Sequence, residues 1–186
     1  HYLLSVTAGD RTAEANLDII PEDDEFFDVD FTPDFLKVTQ NTAVTAGPTS
    51  SMIVGGSNGF GGSGDNLALL VDGLPLGMSV QLQTSAGSEI VTYRGTLQGN
   101  SVTKGGSAAT LGTDDVLTGG TDILPGKQTT LLAQFGTSTN TSTGTYQIFI
   151  GAESDNDISG RPLTVEVRDS GTSLTISPTG GKILGT

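Results

Sequence analysis

Carboxylates are the residues of this 186-residue chain whose types and spacing could do chemistry, and they are unevenly placed. Ten of the 21 Asp and Glu residues fall within the first 34 positions. Calcium takes six to eight oxygen ligands from carboxylates and carbonyls. Two acidic runs therefore hold candidate calcium ligands: Glu22, Asp23, Asp24, Asp28 and Asp30 in one, and Asp155 and Asp157 in the other. Neither run has EF-hand spacing, and the alternative interpretation is a solvated acidic face or linker without a metal.

Side chains suited to acid–base or nucleophilic catalysis are scarce. The chain has no cysteine, and its single histidine is His1. A Ser-His-Asp triad would have to be built around that residue. The glycine-rich stretch from Gly55 to Gly64 lacks the Gly-Lys-Ser/Thr of a phosphate-binding loop, and no helical pattern follows it. We therefore expect no catalytic residues and no enzymatic activity.

The overall composition argues against several classes of partner. A formal net charge of -13 disfavours nucleic acid, because neutralising phosphates requires clustered Lys and Arg. No apolar run approaches the roughly 20 residues of a transmembrane helix. Without cysteine, neither a disulfide framework nor a thiolate metal site can form. The partners that we expect, other copies of the chain or adjacent domains of the same class, follow instead from the terminal strands and the resemblance described below.

Alternation of apolar and polar residues with a period of two predicts short strands and no long helix. The 27 glycines, with many Ser and Thr, indicate tight turns between these strands. We predict strands at about 34–40, 49–55, 65–72, 78–84, 89–98, 128–136, 145–152 and 161–168. Strands at this spacing are typical of an antiparallel β-sandwich.

The pattern divides the chain into four parts. Residues 1–20 are predicted to form a β-hairpin that completes a preceding or neighbouring domain, and 21–32 an acidic linker. Residues 33–169 form the sandwich, with an inserted loop or hairpin at about 85–122, and 170–186 form a C-terminal tail strand. Alternating apolar residues of the two terminal parts are predicted to pair with another sheet: Tyr2, Leu4, Val6, Ala15, Leu17, Ile19, Leu174 and Ile176.

An internal similarity supports this division. The segment from Tyr2 to Ala8 parallels that from Tyr146 to Ala152, and Ala15–Ile19 parallels Leu163–Val167. The two hairpins start 144 residues apart (146 − 2), about one domain length. The first hairpin is thus predicted to be the last hairpin of one sandwich, and a second sandwich follows it. Because a lone hairpin is marginal in water, the first one needs a sheet to join.

Several short motifs lie between about Pro33 and Asp169, where the chain is predicted to form its sandwich. They are Thr45-Ala46-Gly47, Asn58-Gly59-Phe60, Gly73-Leu74-Pro75-Leu76-Gly77, Leu124-Pro125-Gly126, Gly144-Thr145-Tyr146 and Leu163-Thr164-Val165-Glu166-Val167. In these motifs the chain resembles the bacterial and archaeal immunoglobulin-like modules that occur in tandem in surface proteins. The resemblance departs at about 85–122, where such modules run straight into the Leu-Pro-Gly turn.

The resemblance implies an immunoglobulin-like sandwich in an extracellular or cell-surface protein. It also implies that the hydroxyl of Tyr146 anchors a corner, as tyrosines do in related sandwiches. Asn140, in Asn140-Thr141-Ser142, is a candidate N-glycosylation site in an expected loop. Fold resemblance alone implies no activity.

Three functions follow as hypotheses. The first is a subunit of a secreted filament, pilus, sheath or surface layer, held by donor-strand complementation, in which terminal strands join a neighbour's sheet. The second is an adhesin or carbohydrate-binding module that contacts cell-surface glycans through the 85–122 insertion, where Tyr93 is the only aromatic residue. The third is a passive spacer domain of a long surface protein. Deletion of 1–20, a glycan array and the mass of the source protein would separate them.

Overall fold

The chain folds almost entirely as β-strands in the computed structural model, which describes residues 2–8, 11–17, 26–57, 59–104, 107–109, 116–155 and 157–171. The only helix in these residues is one 3-10 turn, Val44–Ala46. The predicted all-β class is confirmed. The strands are β1 (Tyr2–Ala8), β2 (Arg11–Leu17), β3 (Phe26–Thr32), β4 (Phe35–Thr39), β5 (Thr49–Ser57), β6 (Leu67–Asp72), β7 (Met78–Thr84), β8 (Glu89–Thr96), β9 (Gly99–Lys104), β10 (Ser107–Ala109), β11 (Val116–Leu117), β12 (Gln128–Thr137), β13 (Gly144–Glu153) and β14 (Ile158–Arg168).

Two sheets make up the sandwich. One has the order β10-β9-β8-β7-β12-β5-β3, and the other β11-β6-β13-β14-β4. Strands β14 and β4 run parallel, whereas the other pairs between these strands are antiparallel. Within this arrangement β3-β5-β12-β7 and β6-β13-β14 reproduce the A-B-E-D and C-F-G order of an immunoglobulin-like sandwich. The predicted immunoglobulin-like architecture is confirmed at the level of strand order.

The core lies between the sheets and is built by alternate residues of each strand. In β13, Ile148, Ile150 and Ala152 are fully buried, and the neighbouring strand β14 of the same sheet buries Leu163 and Val165. Side chains of successive strand residues point to opposite faces, so one face of each strand fills the core. The period-two pattern in the sequence therefore has its structural counterpart in these buried rows.

The acidic segment before the sandwich differs from its sequence interpretation. The predicted linker 21–32 is wrong over 26–32, which form β3 and pair antiparallel with β5. Phe27, Val29 and Phe31 are buried, and they alternate with the exposed Asp28 and Asp30. The charged residues of this segment suggest a solvated linker, but its apolar residues supply a strand to the core. The chain then crosses to the second sheet as β4.

The described residues of the insertion between β7 and β12 include four strands, β8 to β11. Strands β8, β9 and β10 continue the larger sheet beyond β7, in antiparallel register. Val91, Tyr93 and Val102 from these strands are buried in the common core. The insertion is therefore part of the sandwich, and not a loop attached to it.

The first hairpin forms a separate two-stranded sheet. Strands β1 and β2 pair from Tyr2 opposite Leu17 to Ala8 opposite Arg11. Within the described part of the chain, neither strand pairs with a third. Several residues predicted to act in assembly or metal binding lie outside the described residues: Ile19, Glu22, Asp23, Asp24, Leu174 and Ile176.

The sandwich has two ends, which we name by the chain's direction. The proximal end holds the start of β3, the loop 59–66, the segment 118–127 and the turn between β13 and β14. The distal end holds the loops 40–48, 73–77 and 138–143 and the end of β14. The chain enters the sandwich at the proximal end and leaves β14 at the distal end. Among the described residues, no helix has the length and hydropathy needed to cross a lipid bilayer.

Candidate functional site

The predicted calcium ligands of β3 are engaged in hydrogen bonds and ion pairs within the sandwich. The Asp28 carboxylate accepts a hydrogen bond from the Val29 amide at 2.8 Å, and Asp30 accepts one from Phe31 at 2.9 Å. Arg161 of β14 lies 3.7 Å from Asp28 and 3.8 Å from Asp30. Because β3 is the outermost described strand of its sheet, these amides would otherwise be open to another strand. Asp28 and Asp30 thus close this edge against strand addition.

The second acidic run lines a cleft at the proximal end. Asp155, Asp157 and Asp65 line this cleft, which has a volume of about 230 Å³. The rings of Phe27 and Phe60 also line it, with their centroids 5.2 Å apart. The Asp65 carboxylate accepts hydrogen bonds from two backbone amides of its own loop, at 2.8 and 3.0 Å. Within the described residues no three acidic or histidine side chains come close enough to hold a metal ion. The calcium site stays a prediction of the sequence.

The opposite side of the sandwich is closed by side chains from the insertion. Strand β6 pairs with β13 along one edge and, over two residues, with β11 along the other. Beyond β11, the Leu69 carbonyl accepts a hydrogen bond from the Tyr93 hydroxyl at 2.5 Å. The Val71 carbonyl accepts one from the Asn100 amide at 2.8 Å. Since carbonyls two residues apart point to the same side of a strand, these two side chains cover the remaining edge of β6.

The position of Tyr93 bears on the sugar-binding hypothesis. Its side chain is 2% exposed, and its hydroxyl is engaged with Leu69. Sugar recognition by stacking needs an accessible ring face, which Tyr93 does not offer. The aromatic residue on which the insertion-based adhesin hypothesis depended is a core residue.

Tyr146 has the geometry of a tyrosine corner. It lies near the start of β13, and its hydroxyl donates to the Ser142 carbonyl at 2.9 Å, four residues upstream. This is the arrangement found at the start of the sixth strand of related sandwiches. The same turn contains Asn140, whose side chain is exposed, and Thr141, whose carbonyl accepts a hydrogen bond from Gln40 at 2.6 Å. Glycosylation of Asn140 stays a prediction.

The sequence also contains a Gly-x-Ser-x-Gly segment, from Gly55 to Gly59, the pattern of a nucleophile elbow. A nucleophile elbow places such a serine in a sharp turn between a strand and a helix. Here Ser57 is the last residue of strand β5, and the strands that pair with β5 run antiparallel to it. A loop follows over 59–66. The structural context of an elbow is therefore missing at this serine. His1, the chain's one histidine, lies outside the described residues.

The two hairpins that resemble each other in sequence also share their pairing register. In the first, Tyr2 lies opposite Leu17 and Leu4 opposite Ala15. In the second, the corresponding residues pair in the same way: Tyr146 with Val165, and Ile148 with Leu163. Among the described residues that correspond, the two hairpins differ in the length of the turn: two residues separate Ala8 from Arg11, and six separate Ala152 from Ser159. Strands β1 and β2 thus have the pairing of the F and G strands.

Comparison with known proteins gives no family for the chain, because no protein-family model and no curated protein matches it. Three solved structures are weakly similar. AvmM, which catalyses macrocyclization in alchivemycin A biosynthesis, has a TM-score of 0.42 and 11% identity, with 80% of this chain and 92% of AvmM covered. A family 123 glycoside hydrolase from Clostridium perfringens has a TM-score of 0.39 and 8% identity, over 78% of this chain and 28% of the enzyme.

The third similar structure is the CooA pilin subunit from enterotoxigenic Escherichia coli, with a TM-score of 0.33 and 14% identity. The alignment covers 77% of this chain and 96% of the pilin. Similarity as weak as that of these three structures bears on neither the family nor the function of this chain.

Proposed function

We propose that this chain is a non-catalytic structural module of an extracellular protein built from immunoglobulin-like sandwiches in series. Residues 2–17 are the F–G hairpin of one sandwich, and residues 26–168 are the next. The partner of the hairpin is therefore an adjacent immunoglobulin-like domain. The module spaces and orients its neighbours along the chain.

The shared register of the two hairpins carries this proposal. A shift of one residue would move every apolar side chain of a strand to the other face, so register is specified by what the strand buries. Leu4 and Leu17 occupy the positions that Ile148 and Val165 fill in the core of the sandwich. Tyr2 occupies the position of the corner residue Tyr146. A hairpin with this register is matched to the inside of a sandwich of the same type.

Strand pairing in the sandwich favours an adjacent domain over strand exchange between copies. Donor-strand complementation requires a sheet that lacks a strand. Here β14 already lies between β13 and β4, so the G position of this sandwich is filled by the chain itself. The edge at β3 is closed by Asp28 and Asp30, and that of β6 by Tyr93 and Asn100. A copy of this chain therefore offers the hairpin no vacant G position, and the described sheet edges that are left include those of β4 and β10.

A chimera tests the hairpin assignment directly. In the full chain, residues 146–165 are replaced by a second copy of residues 2–17, with Ala15→Leu in that copy to restore the volume of Leu163. We expect this chimera to unfold cooperatively in denaturant and to keep dispersed amide signals by NMR, because the apolar faces coincide. The matched control inserts residues 3–18, which inverts both faces and should not fold. Equal behaviour of the two chimeras would overturn the assignment.

A deletion separates the tandem module from the filament subunit. Removing residues 1–20 should leave the midpoint of thermal unfolding unchanged to within about 2 °C, since the described strands β1 and β2 pair with no strand of this sandwich. Electron microscopy and light scattering should show the same particles before and after deletion. Filaments that form from the full chain and vanish on deletion would instead establish strand exchange.

A further inference from the structure

Asp72 holds its carboxylate against the backbone amide that follows it in the chain. The Gly73 amide donates a hydrogen bond to Asp72 Oδ1, and the nitrogen and the oxygen are 2.7 Å apart. Since a carbon–oxygen bond of this kind is about 1.2 Å long, the Asp72 Cγ lies within about 4 Å of the Gly73 nitrogen. These are the two atoms that closure of a succinimide ring would join, and groups poised to react are about 3–3.5 Å apart.

Among the described residues, three other aspartates make the same contact with the next amide, but glycine follows none of them. The pairs are Asp28 with Val29, Asp30 with Phe31 and Asp157 with Ile158, at 2.8, 2.9 and 2.9 Å. A branched or aromatic side chain crowds the nitrogen of its own residue and restricts the backbone, whereas glycine has no Cβ. Asp72-Gly73 is also the one Asp-Gly pair of the sequence. Here alone the contact is combined with an unhindered nitrogen.

The turn after β6 requires this glycine and leaves the pair accessible. Gly73 lies one position beyond the strand and has a φ of 79°, which residues with a Cβ rarely adopt. A Cβ at this position would also lie 2.9 Å from the Gln147 carbonyl oxygen. Asp72 and Gly73 are both exposed, so water reaches them. The fold therefore requires the residue that makes Asp72 reactive.

We infer that Asp72-Gly73 is a site of spontaneous backbone modification, at which Asp72 converts into isoaspartate in the folded chain. The Gly73 nitrogen forms a bond to Asp72 Cγ, a Cγ–O bond of the carboxylic acid breaks, and the hydroxyl leaves with the amide proton as water. Water then adds to the succinimide. Cleavage of the Cγ–N bond returns aspartate, whereas cleavage between the nitrogen and the main-chain carbonyl carbon of Asp72 yields isoaspartate of unchanged composition.

The modification changes the main chain at a closely packed corner. Isoaspartate routes the backbone through the former side chain and lengthens it by a methylene group. On one side of this change, Asp72 is paired with Phe149 of β13. On the other, Leu74 is buried, and the Pro75 carbonyl accepts a hydrogen bond from the Met78 amide at 3.0 Å. Because a longer backbone strains the pairing or the corner, the modified chain should be less stable.

Ageing of the purified full chain tests the inference. The chain and a synthetic peptide of residues 68–77 are kept in the same buffer at physiological temperature until half of the peptide has converted. Electron-transfer mass spectrometry then locates isoaspartate. We expect the folded chain to convert at Asp72 at least as far as the peptide does, and to stay unmodified at Asp28, Asp30 and Asp157.

The matched control is Asp72→Glu, which keeps the charge but would have to close a larger ring. Conversion at position 72 should be lost in this variant. The aged original chain should melt about 2 °C or more below the fresh one, whereas aged and fresh Asp72→Glu should melt together. Both chains contain the Asn58-Gly59 pair, which is open to deamidation, so the comparison isolates position 72.

Three results would overturn the inference. The first is less conversion of Asp72 in the folded chain than in the peptide, which would show that the fold protects this bond. The second is conversion at Asp28, Asp30 or Asp157 as fast as at Asp72, which would remove the role of glycine. The third is a converted chain as stable as the fresh one, which would remove the effect on the corner. None of them bears on the tandem arrangement, because the reaction takes place within one turn.

Discussion

Replacing Tyr93 by phenylalanine should lower the stability of the sandwich measurably, although the ring and its packing are kept. The Tyr93 hydroxyl lies in the core, 2.5 Å from the Leu69 carbonyl that it bonds. This bond connects the inserted strand β8 to β6 of the opposite sheet. Phenylalanine removes the donor and leaves the carbonyl in an apolar environment.

The expected magnitude follows from the cost of a buried polar group that loses its partner, about 1–3 kcal/mol. For a domain of this length each kcal/mol lowers the midpoint of thermal unfolding by about 2–4 °C. The variant should therefore melt about 2–12 °C below the original chain. Its denaturant m-value should not change, because the same surface is exposed on unfolding.

Equilibrium unfolding in guanidinium chloride measures the effect, and Tyr146→Phe is its matched control. Tyr146 also loses one hydroxyl, but its bond to Ser142 is solvent-exposed, so the loss should stay below about 1 kcal/mol. Hydrogen exchange should be faster at β6 and β8 in the Tyr93 variant and unchanged at β13 and β14. A Tyr93→Phe chain as stable as the original, or one destabilised less than Tyr146→Phe, would refute the view that the insertion closes the edge of β6.

Three further outcomes are expected. Asp28→Ala/Asp30→Ala should promote intermolecular β-pairing, seen as larger species in size-exclusion chromatography, because it frees two amides at the β3 edge; Asp34→Ala/Asp169→Ala, with the same change in charge, should not. The Arg168 guanidinium lowers the pKa of Glu166 through its hydrogen bond, so this pair stabilises the fold above the ordinary Glu pKa and loses that contribution as the pH falls through the lowered value; NMR titration of Arg168→Gln should return the pKa upward. Gly47→Ala should cost about 1–3 kcal/mol or more in chemical unfolding, since its Cβ would overlap the Phe135 carbonyl, whereas Gly64→Ala, in open space, should stay within about 0.5 kcal/mol.

The strands could be predicted from the sequence because local alternation specifies them. The predicted strand at 78–84 coincides with Met78–Thr84, and that at 128–136 is one residue short of Gln128–Thr137. Strand β3 was missed although Phe27, Val29 and Phe31 alternate in the same manner. The aspartates between them are typical of a solvated linker, but here they act at a sheet edge that exists only once β3 is part of a sheet.

The closing contacts of the sandwich could not be predicted because they depend on long-range neighbours. Nothing local to Tyr93 indicates that its hydroxyl reaches Leu69, 24 residues earlier, on the opposite sheet. The same holds for Asp28 and Arg161, which lie 133 positions apart (161 − 28) and meet only because β3 passes beside β14. Sequence reasoning could identify an acidic segment, but its partners are a property of the topology.

The parallel pairing of β4 with β14 has a mechanical consequence. Five residues of each strand are in register, from Phe35 opposite Thr164 to Thr39 opposite Arg168. A pull on the two ends of the sandwich drags β4 toward the proximal end and β14 toward the distal end. The hydrogen bonds between them are then loaded together in shear and cannot open one after another like a zipper. A chain under tension would meet resistance at the seven-residue pairing of β3 with β5, which the same pull loads along its length, and then at this short parallel pair of strands.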